Sequence, residues 1–266
     1  MITLPTSHPY LDHPGPLGFA HRGGTLGGPE NSMPAFERAV RLGYRYLETD
    51  VHATADGVLV AFHDERLERV TDGSGAISAL PWRTVSAARI AGREAIPTLE
   101  ELLDAFPEAR FNIDVKAVGA VRPLVDAVRR TNAWDRVCAG SFSDSRLAAV
   151  RAAAGPRLAT AAGPRAVAAL KLRALTGGRA PLARSVRRRS VCVQVPEFLP
   201  GEAERGVRLV DRAFLDTAHA LGVQVHVWTV NEAERIRALL DLGVDGIMTD
   251  RIDVLRDVLI ERGAWI

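Results

Sequence analysis

The sequence predicts one (β/α)₈ barrel that takes in the whole chain, residues 1–266, as a single domain. Short apolar runs and helical segments alternate about eight times, and this alternation indicates a parallel sheet. The chain is close to the length of about 250 residues that is typical of such barrels. No linker or internal repeat divides it. No Gly-x-Gly-x-x-Gly follows the first strand, which weakens the alternative of an open dinucleotide-binding sheet.

Local patterns justify the elements one by one. The predicted strands are 17–20, 44–51, 58–62, 111–115, 137–142, 158–161, 191–195, 223–230 and 246–249. The predicted helices are 33–42, from 98, 121–130, from 144, from 164, 211–221, 231–242 and from 250 or 251. Ser32 is the predicted N-cap of the first helix, and Thr98 with Glu101 forms a capping box. A Gly-containing loop at 71–75 predicts a small insertion after the early strands.

Composition and charge exclude several classes of protein. Hydrophobic residues make up 47% of the chain and charged residues 25%, with a formal net charge of +2. This balance argues against a dedicated nucleic-acid binder, which would carry a large excess of basic residues. Cys138 and Cys192 lie in apolar runs and are predicted to be buried thiols, which fits a reducing compartment. Neither a signal peptide nor an apolar run of about 18 residues is seen, so we expect a cytoplasmic protein.

The strand at 44–51 carries two acids. Glu48 and Asp50 lie two positions apart, so their side chains point to the same face of the strand. Burying two neighbouring carboxylates is costly without a compensating positive charge. A hard divalent cation supplies such a charge and prefers oxygen ligands. The alternative is that an arginine pairs with one acid while water solvates the other.

Polar residues recur where the predicted strands end, and in a barrel of this kind that edge holds the active site. The polar residues are His21, Arg22, Glu48, Asp50, His63, Asn112, Asp114, Lys116, Ser141, Gln194 and His226, and the aromatic residues Phe142 and Trp228 stand beside them at the strand ends. They interrupt or end apolar strands, where a purely structural core would hold apolar side chains. Polar groups that cluster on buried strand faces therefore predict a functional site.

The residue types suit phosphodiester cleavage. Glu48, Asp50 and Asp114 offer three carboxylates from two strands for Mg²⁺ or Ca²⁺. His21 and His63 can donate and accept protons near neutral pH. A metal ion can stabilise charge on the phosphoryl oxygens. No Gly-x-Ser-x-Gly motif appears, so acyl transfer lacks a nucleophile.

Four further residues are predicted to bind the substrate. Arg22 and Lys116 supply positive charge for an anion, most naturally phosphate, although Arg22 as a structural ion-pair partner stays open. Trp228 is expected to line the pocket for the glycerol or alcohol moiety, and Gln194 is expected to bind the phosphate or another part of the substrate. His226 can hydrogen-bond in the barrel mouth.

Several motifs together resemble the glycerophosphodiester phosphodiesterase family, in order and in spacing. They are His21–Gly23, Pro29–Ser32, Glu48–Val51, His63–Asp64, Thr71–Gly75, Ile96–Glu101, Asp114–Lys116 and Val227–Asn231. The resemblance covers most of the chain. It implies a TIM-barrel hydrolase that cleaves glycerophosphodiesters, as its small-molecule substrates, to glycerol 3-phosphate and an alcohol.

The resemblance also implies a role for each site residue. The implied roles are a divalent cation on Glu48, Asp50 and Asp114, general acid–base catalysis by His21 and His63, and phosphate contacts from Arg22 and Lys116. Many members have Glu where this chain has Asp114. The shorter side chain is expected to admit a water molecule or to shift the cation.

Two other functions stay open. One is a lysophospholipase D that acts on a lipid with one acyl chain. The other is a phosphate- or lipid-binding barrel without catalysis, against which the complete set of acids and histidines argues. The basic, leucine-containing stretch Lys171–Arg189 is either a solvated loop or a lid near the barrel mouth that contacts anionic lipid.

Overall fold

The structure, a computed structural model, describes residues 8–25, 28–177, 186, 190–199 and 206–265. The strands are β1 (Leu17–Ala20), β2 (Tyr46–Ala53), β3 (Leu59–Ala61), β4 (Arg89–Ile90), β5 (Glu94–Ala95), β6 (Arg110–Val115), β7 (Val137–Gly140), β8 (Ala159–Thr160), β9 (Cys192–Pro196), β10 (Gln224–Trp228) and β11 (Gly246–Thr249). The helices are α1 (Met33–Arg41), α2 (Trp82–Val85), α3 (Leu99–Ala105), α4 (Val121–Arg130), α5 (Asp144–Ala154), α6 (Pro164–Thr176), α7 (Arg212–His219), α8 (Ala233–Leu242) and α9 (Ile252–Glu261).

Eight parallel strands build the barrel. Their order is β8-β7-β6-β2-β1-β11-β10-β9, and every neighbouring pair is parallel. The edge strands β8 and β9 meet through a parallel bridge between Ala161 and Cys192, where the Ala162 N–H donates to the Cys192 carbonyl over 2.8 Å. This bridge joins the two edges of the sheet. The predicted (β/α)₈ TIM barrel is therefore confirmed.

One predicted strand, 58–62, is not a barrel strand. Its observed counterpart β3 pairs antiparallel with β2, with Val51 opposite Ala61 and His52 opposite Val60. Only residues 54–58 separate the two strands. A connection this short allows a hairpin, whereas a parallel crossover needs a dozen or more residues. The chain thus leaves the barrel at β2 and returns with α3.

The insertion between β3 and α3 is larger than the loop that the sequence predicts. It contains the β4–β5 hairpin, α2 and a 3₁₀ turn at Ile77–Ala79. Its own apolar cluster consists of Val60, Phe62, Leu67, Ile77, Val85, Ala88, Ile90 and Ile96. A packed core of this kind fixes the segment that follows β3, which carries His63 and Asp64.

The helices begin where the capping residues predict. The Ser32 hydroxyl accepts from the Ala35 N–H at the start of α1, and Thr98 and Glu101 make both bonds of the capping box at α3. The apolar faces of the helices pack on the outer face of the sheet to form the main core. No helix in the described part of the chain is long and apolar enough to cross a membrane.

The end of the barrel opposite the predicted site is filled by side chains. Tyr10, on a 3₁₀ turn before β1, packs edge-to-face on Tyr46 with ring centroids 5.5 Å apart. Cys138 and Cys192 are free and buried in the same apolar cluster, as predicted. Both predicted thiols are thus part of the core.

His226 lies in this core and not in the barrel mouth, so the expected position was wrong. It is fully buried in the middle of β10, and its ring lies 5.0 Å from the Phe19 ring. A Cβ on the neighbouring Gly246 would come within 2.9 Å of the imidazole, so only glycine leaves room for it. Strand alternation predicts that His226 points into the barrel, but it does not predict the position of the side chain along the barrel axis.

His226 makes the folded protein less stable in acid. Burial lowers its pKa from 6.5 to about 4, so between these values the unfolded chain binds a proton here and the folded chain does not. The free energy of unfolding should fall by about 2 kcal/mol between pH 6.5 and pH 5 from this residue. We expect denaturant unfolding of His226→Gln to show a smaller loss over the same pH range. Equal losses would contradict a buried neutral imidazole.

Candidate active site

The barrel brings the predicted acids and cations to the edge where the strands end. His21 and Arg22 follow β1, Glu48 and Asp50 lie in β2, Asp114 and Lys116 lie at the end of β6, and Trp228 ends β10. The parallel register of β2 and β6 sets Asp50 directly beside Asp114. Side chains of facing residues in parallel strands share one face of the sheet. Two carboxylates are therefore forced together by backbone geometry.

Asp50 is the most strongly compensated of the acids. Lys116 Nζ lies 2.8 Å from Asp50 Oδ1 and 2.7 Å from Asp114 Oδ2. Arg22 Nε lies 3.1 Å from Asp50 Oδ2, as an ion pair without hydrogen-bond geometry, and the Asn31 amide donates to the same oxygen over 3.3 Å. Burial acts to raise the pKa of Asp50, but Lys116 and Arg22 outweigh it and lower the pKa. Asp50 is thus ionised.

The other two acids are less well compensated. Burial is the main cause that raises the pKa of Glu48 to about 7, and the negative charge of Asp50 is the second. The hydrogen bond that Glu48 accepts from the Arg22 backbone N–H over 3.0 Å acts in the opposite direction. Burial also raises the pKa of Asp114 in spite of Lys116. Asp114 Oδ1 is buried and has no hydrogen-bond partner among the residues that the structure describes. Burial thus disfavours the charged forms of Glu48 and Asp114 more than their positive neighbours favour them.

Each predicted catalytic histidine is held by a carboxylate. His21 Nδ1 lies 2.7 Å from Asp250 Oδ1, and His63 Nδ1 lies 2.6 Å from Asp64 Oδ1. A carboxylate accepts only from a protonated nitrogen, so Nε2 of each ring is the nitrogen left for a substrate. His21 Nε2 lies 3.8 Å from Glu48 Oε2. Burial lowers the pKa of His21, but Glu48 and Asp250 outweigh it and raise the pKa.

Asp250 is a residue of this site that sequence reasoning treated only as a helix start. It directly follows β11, so the same rule about strand ends that selects His21 would have selected it. Asn231 fixes it from two sides. Its amide donates to Asp250 Oδ2 over 3.2 Å, and its carbonyl oxygen accepts from the Asp250 backbone N–H over 2.9 Å.

A left-handed turn after β1 aims Arg22 at the acids. Arg22 has φ 52° and ψ 32°, an uncommon conformation for a residue with a side chain. Gly23 follows with φ 82°, and a Cβ there would lie 2.9 Å from the backbone nitrogen of Phe36. Glycine is therefore required for this close packing against α1. The turn directs the Arg22 N–H to Glu48 and its guanidinium to Asp50.

Of the remaining predicted substrate contacts, one lies at the rim and one lies deeper. Trp228 packs edge-to-face on Phe142, with ring centroids 5.6 Å apart, and Lys116 Nζ lies 6.0 Å from the centre of the Phe142 ring. Gln194 instead donates to Asn112 Oδ1 over 2.7 Å across the barrel interior. Trp228 therefore lies near Lys116, with the Phe142 ring between them. The role of Gln194 in substrate binding stays a prediction.

The basic stretch Lys171–Arg189 is described only in part. Lys171 is buried and pairs with Asp211 Oδ2 over 2.5 Å, so it is not available to a lipid surface. Ser190 precedes the amino end of β9, which is the edge opposite the acids. Residues 178–185 and 187–189 lie outside the described residues.

The carboxylates suit a hard cation in kind, but their side chains are not grouped as a metal site. No three His, Cys, Asp or Glu side chains among residues 8–25, 28–177, 190–199 and 206–265 are placed to bind a metal ion. The Lys116 ammonium lies where Asp50 and Asp114 meet. A cation beside Glu48 and Asp114 would offset the burial that raises their pKa values. Oxygen donors of this type fit Mg²⁺ or Ca²⁺.

Comparison with known proteins gives a consistent picture. A sequence model described as the glycerophosphoryl diester phosphodiesterase family matches residues 21–254. A "probable glycerophosphodiester phosphodiesterase 2" of Mycobacterium tuberculosis is 46% identical, over 96% of this chain and 95% of the relative. Human lysophospholipase D GDPD1 is 28% identical, over 90% of this chain and 85% of the relative. A solved structure from Silicibacter pomeroyi superposes with a TM-score of 0.81 at 25% identity, covering 98% of this chain and all of the other.

Proposed function

Since this chain belongs to the glycerophosphoryl diester phosphodiesterase family, we propose that it hydrolyses glycerophosphodiesters to glycerol 3-phosphate and an alcohol. One observation carries the proposal. Two histidines, His21 and His63, are each fixed through Nδ1 by a carboxylate at the barrel edge that also carries Arg22 and Lys116. This combination supplies proton transfer and anion binding in one site.

Arg22 and Lys116 bind the phosphate in this proposal. The Lys116 ammonium has three donors, of which two face Asp50 and Asp114, so one remains for a phosphoryl oxygen. The Arg22 guanidinium has five donors, and its contacts with Asp50 and Glu30 leave others free. Both side chains are partly exposed, at 17% for Arg22 and 19% for Lys116. They can therefore reach a bound anion.

The two histidines transfer the protons. One accepts a proton from the nucleophile, either water or a substrate hydroxyl next to the phosphodiester. The other donates a proton to the leaving alkoxide, so that charge does not accumulate on the alcohol. Asp250 and Asp64 keep each ring in one tautomer and orientation. The aromatic pair Phe142–Trp228 borders the space that the alcohol occupies.

Glu48, Asp50 and Asp114 are the proposed ligands of a divalent cation, Mg²⁺ or Ca²⁺. When bound, such a cation neutralises charge on the phosphoryl oxygens. The donor chemistry and the unpartnered Asp114 Oδ1 support this assignment. Lys116 competes with the cation for Asp50 and Asp114.

Removing either histidine should abolish most of the turnover. We expect His21→Ala and His63→Ala each to lower kcat for glycerophosphocholine by about 10²–10⁴-fold, because each removes a general acid or base. The matched control is His219→Ala. His219 also pairs with an aspartate, Asp245, over 2.7 Å, but it lies on α7 away from the site. Steady-state kinetics measure the effect. Near-normal turnover of either site variant would contradict the mechanism.

Metal binding should depend on Asp114. We expect chelation of divalent cations to lower turnover, and Asp114→Asn to weaken Mg²⁺ or Ca²⁺ binding at least about tenfold, since one charged ligand is lost. Isothermal titration calorimetry of the metal-depleted protein measures the binding directly. Asp126→Asn is the control, because Asp126 pairs with Arg122 and Arg129 on the surface of α4 and not with the proposed ligands. Unchanged affinity in Asp114→Asn would remove Asp114 from the ligand set.

A second candidate, hydrolysis of lysophospholipids, is favoured by the apolar rim. Val118 follows β6 and is 71% exposed, and Phe142 follows β7 and is 66% exposed. Leu199, which follows β9, is 40% exposed. A single acyl chain that leaves the phosphate site can pack on these side chains. The relative named lysophospholipase D agrees with this candidate.

The rim should then set the preference between substrates. We expect Phe142→Ser to lower the ratio of turnover on lysophosphatidylcholine to turnover on glycerophosphocholine by at least about fivefold, because about 1–3 kcal/mol of apolar contact is lost. Leu175→Ser is the control, since Leu175 is 71% exposed but lies on α6. No lysophospholipid turnover in the wild type, or an unchanged ratio in the variant, would rule out this candidate.

A further inference from the structure

A guanidinium from the insertion lies between two carboxylates at the barrel mouth. Arg69 Nε contacts Asp64 Oδ2, and Arg69 Nη2 donates to Asp64 Oδ1 over 3.1 Å. On its other side, Arg69 Nη2 donates to Glu30 Oε1 over 2.5 Å and Nη1 donates to Glu30 Oε2 over 3.3 Å. Paired contacts of this kind fix orientation as well as distance. Arg69 therefore joins the insertion to the loop that follows β1.

Both carboxylates also contact the machinery of the proposed function. Asp64 Oδ1 lies 2.6 Å from His63 Nδ1, and Glu30 Oε1 lies 3.2 Å from Arg22 Nη1. The contacts form one chain of alternating charge from His63 through Asp64, Arg69 and Glu30 to Arg22. A proton-transfer group and a phosphate-binding group are thus the two ends of the same network.

The network is stronger than an isolated surface ion pair. The Asp64 and Glu30 side chains are only 25% and 14% exposed, although Arg69 is 47% exposed. The hydrogen bond from Arg69 is the largest cause that lowers the pKa of Asp64 to about 2, with a further contribution from His63. Exposed single pairs contribute little, but networks with paired contacts hold their geometry.

We propose that Arg69 is a positioning residue for the hydrolysis proposed above. It holds the Asp64 carboxylate against His63 and the Glu30 carboxylate against Arg22, and so fixes the imidazole relative to the phosphate-binding guanidinium. Without Arg69, two carboxylates remain next to each other at the entrance for an anionic substrate. Substrate binding and the orientation of His63 are then both impaired.

A merely structural role for Arg69 predicts a different outcome. The insertion has its own apolar cluster, and Arg69 is not part of it. A structural role would lower the thermal midpoint and leave the kinetics of the folded protein unchanged. A positioning role leaves the thermal midpoint near that of the wild type and changes kcat and KM.

The test compares Arg69→Met and Arg69→Lys with the control Arg66→Met. Arg66 lies in the same segment and pairs with Glu68, and its side chain is 61% exposed. We expect Arg69→Met to lower kcat/KM for glycerophosphocholine at least about tenfold, because small displacements of catalytic groups are costly. Arg69→Lys should not restore the rate, since an ammonium has three donors and cannot make two contacts with each of the two carboxylates, as the guanidinium does. Arg66→Met should match the wild type.

A double-mutant cycle tests the path of the effect. In an Asp64→Asn background, Arg69→Met should lower kcat much less than it does in the wild type, because the link to His63 is already altered. Fully additive effects would overturn the proposal. A wild-type rate in Arg69→Met, or a rate loss that parallels a loss of thermal stability, would overturn it as well.

A spectroscopic measurement separates failure of this inference from failure of the proposed function. The ¹⁵N resonances of the His63 imidazole report its tautomer and hydrogen bonding in the resting protein, without any substrate. They should shift in Arg69→Met and stay unchanged in Arg66→Met. Unchanged resonances in Arg69→Met overturn the positioning role whether or not the wild type is active. If the resonances shift in Arg69→Met but the wild type cleaves no glycerophosphodiester, only the proposed function is overturned.

Discussion

The ammonium of Lys116 between Asp50 and Asp114 is the interaction on which the site depends. The β2–β6 register sets these two carboxylates side by side, and both are largely buried. Two buried carboxylates side by side repel each other and destabilise a fold unless a cation lies between them. Lys116 extends from the residue that follows β6, and its distances of 2.8 and 2.7 Å to the two acids provide that cation. The barrel can therefore keep an acidic cluster beneath its mouth.

Positive side chains are distributed unevenly among the three acids of the site. Asp50 forms ion pairs with Lys116 and Arg22, whereas Glu48 lies 3.8 Å from His21 Nε2 and accepts from the Arg22 backbone N–H. The carboxylate oxygens are the kind of donor that a divalent cation prefers, and guanidinium and ammonium groups are the kind that phosphate prefers. The barrel thus places acidic and basic side chains next to each other at one edge.

Much of this arrangement could be predicted from the sequence, because it follows from local rules. Strand–helix alternation gave the barrel, and the rule about strand ends selected His21, Glu48 and Asp50. Local rules do not show which segments meet in space. The bond between His21 and Asp250 joins residues that are 229 positions apart, and the contact of Arg69 with Glu30 spans 39 positions. The pairing direction of β3 and the depth of His226 likewise depend on tertiary packing, which alternation does not encode.

The most direct test is the free energy of unfolding of Lys116→Met compared with that of Lys116→Met/Asp114→Asn, measured with denaturant in the absence of divalent cations. If the Lys116 ammonium stabilises Asp50 and Asp114, the free energy of unfolding of Lys116→Met is about 2–3 kcal/mol lower than that of the wild type, because two partly buried carboxylates lose their cation. The double variant should regain at least about 1 kcal/mol, because one of the two carboxylates becomes neutral. A single variant as stable as the wild type, or a double variant less stable than the single, would contradict the account.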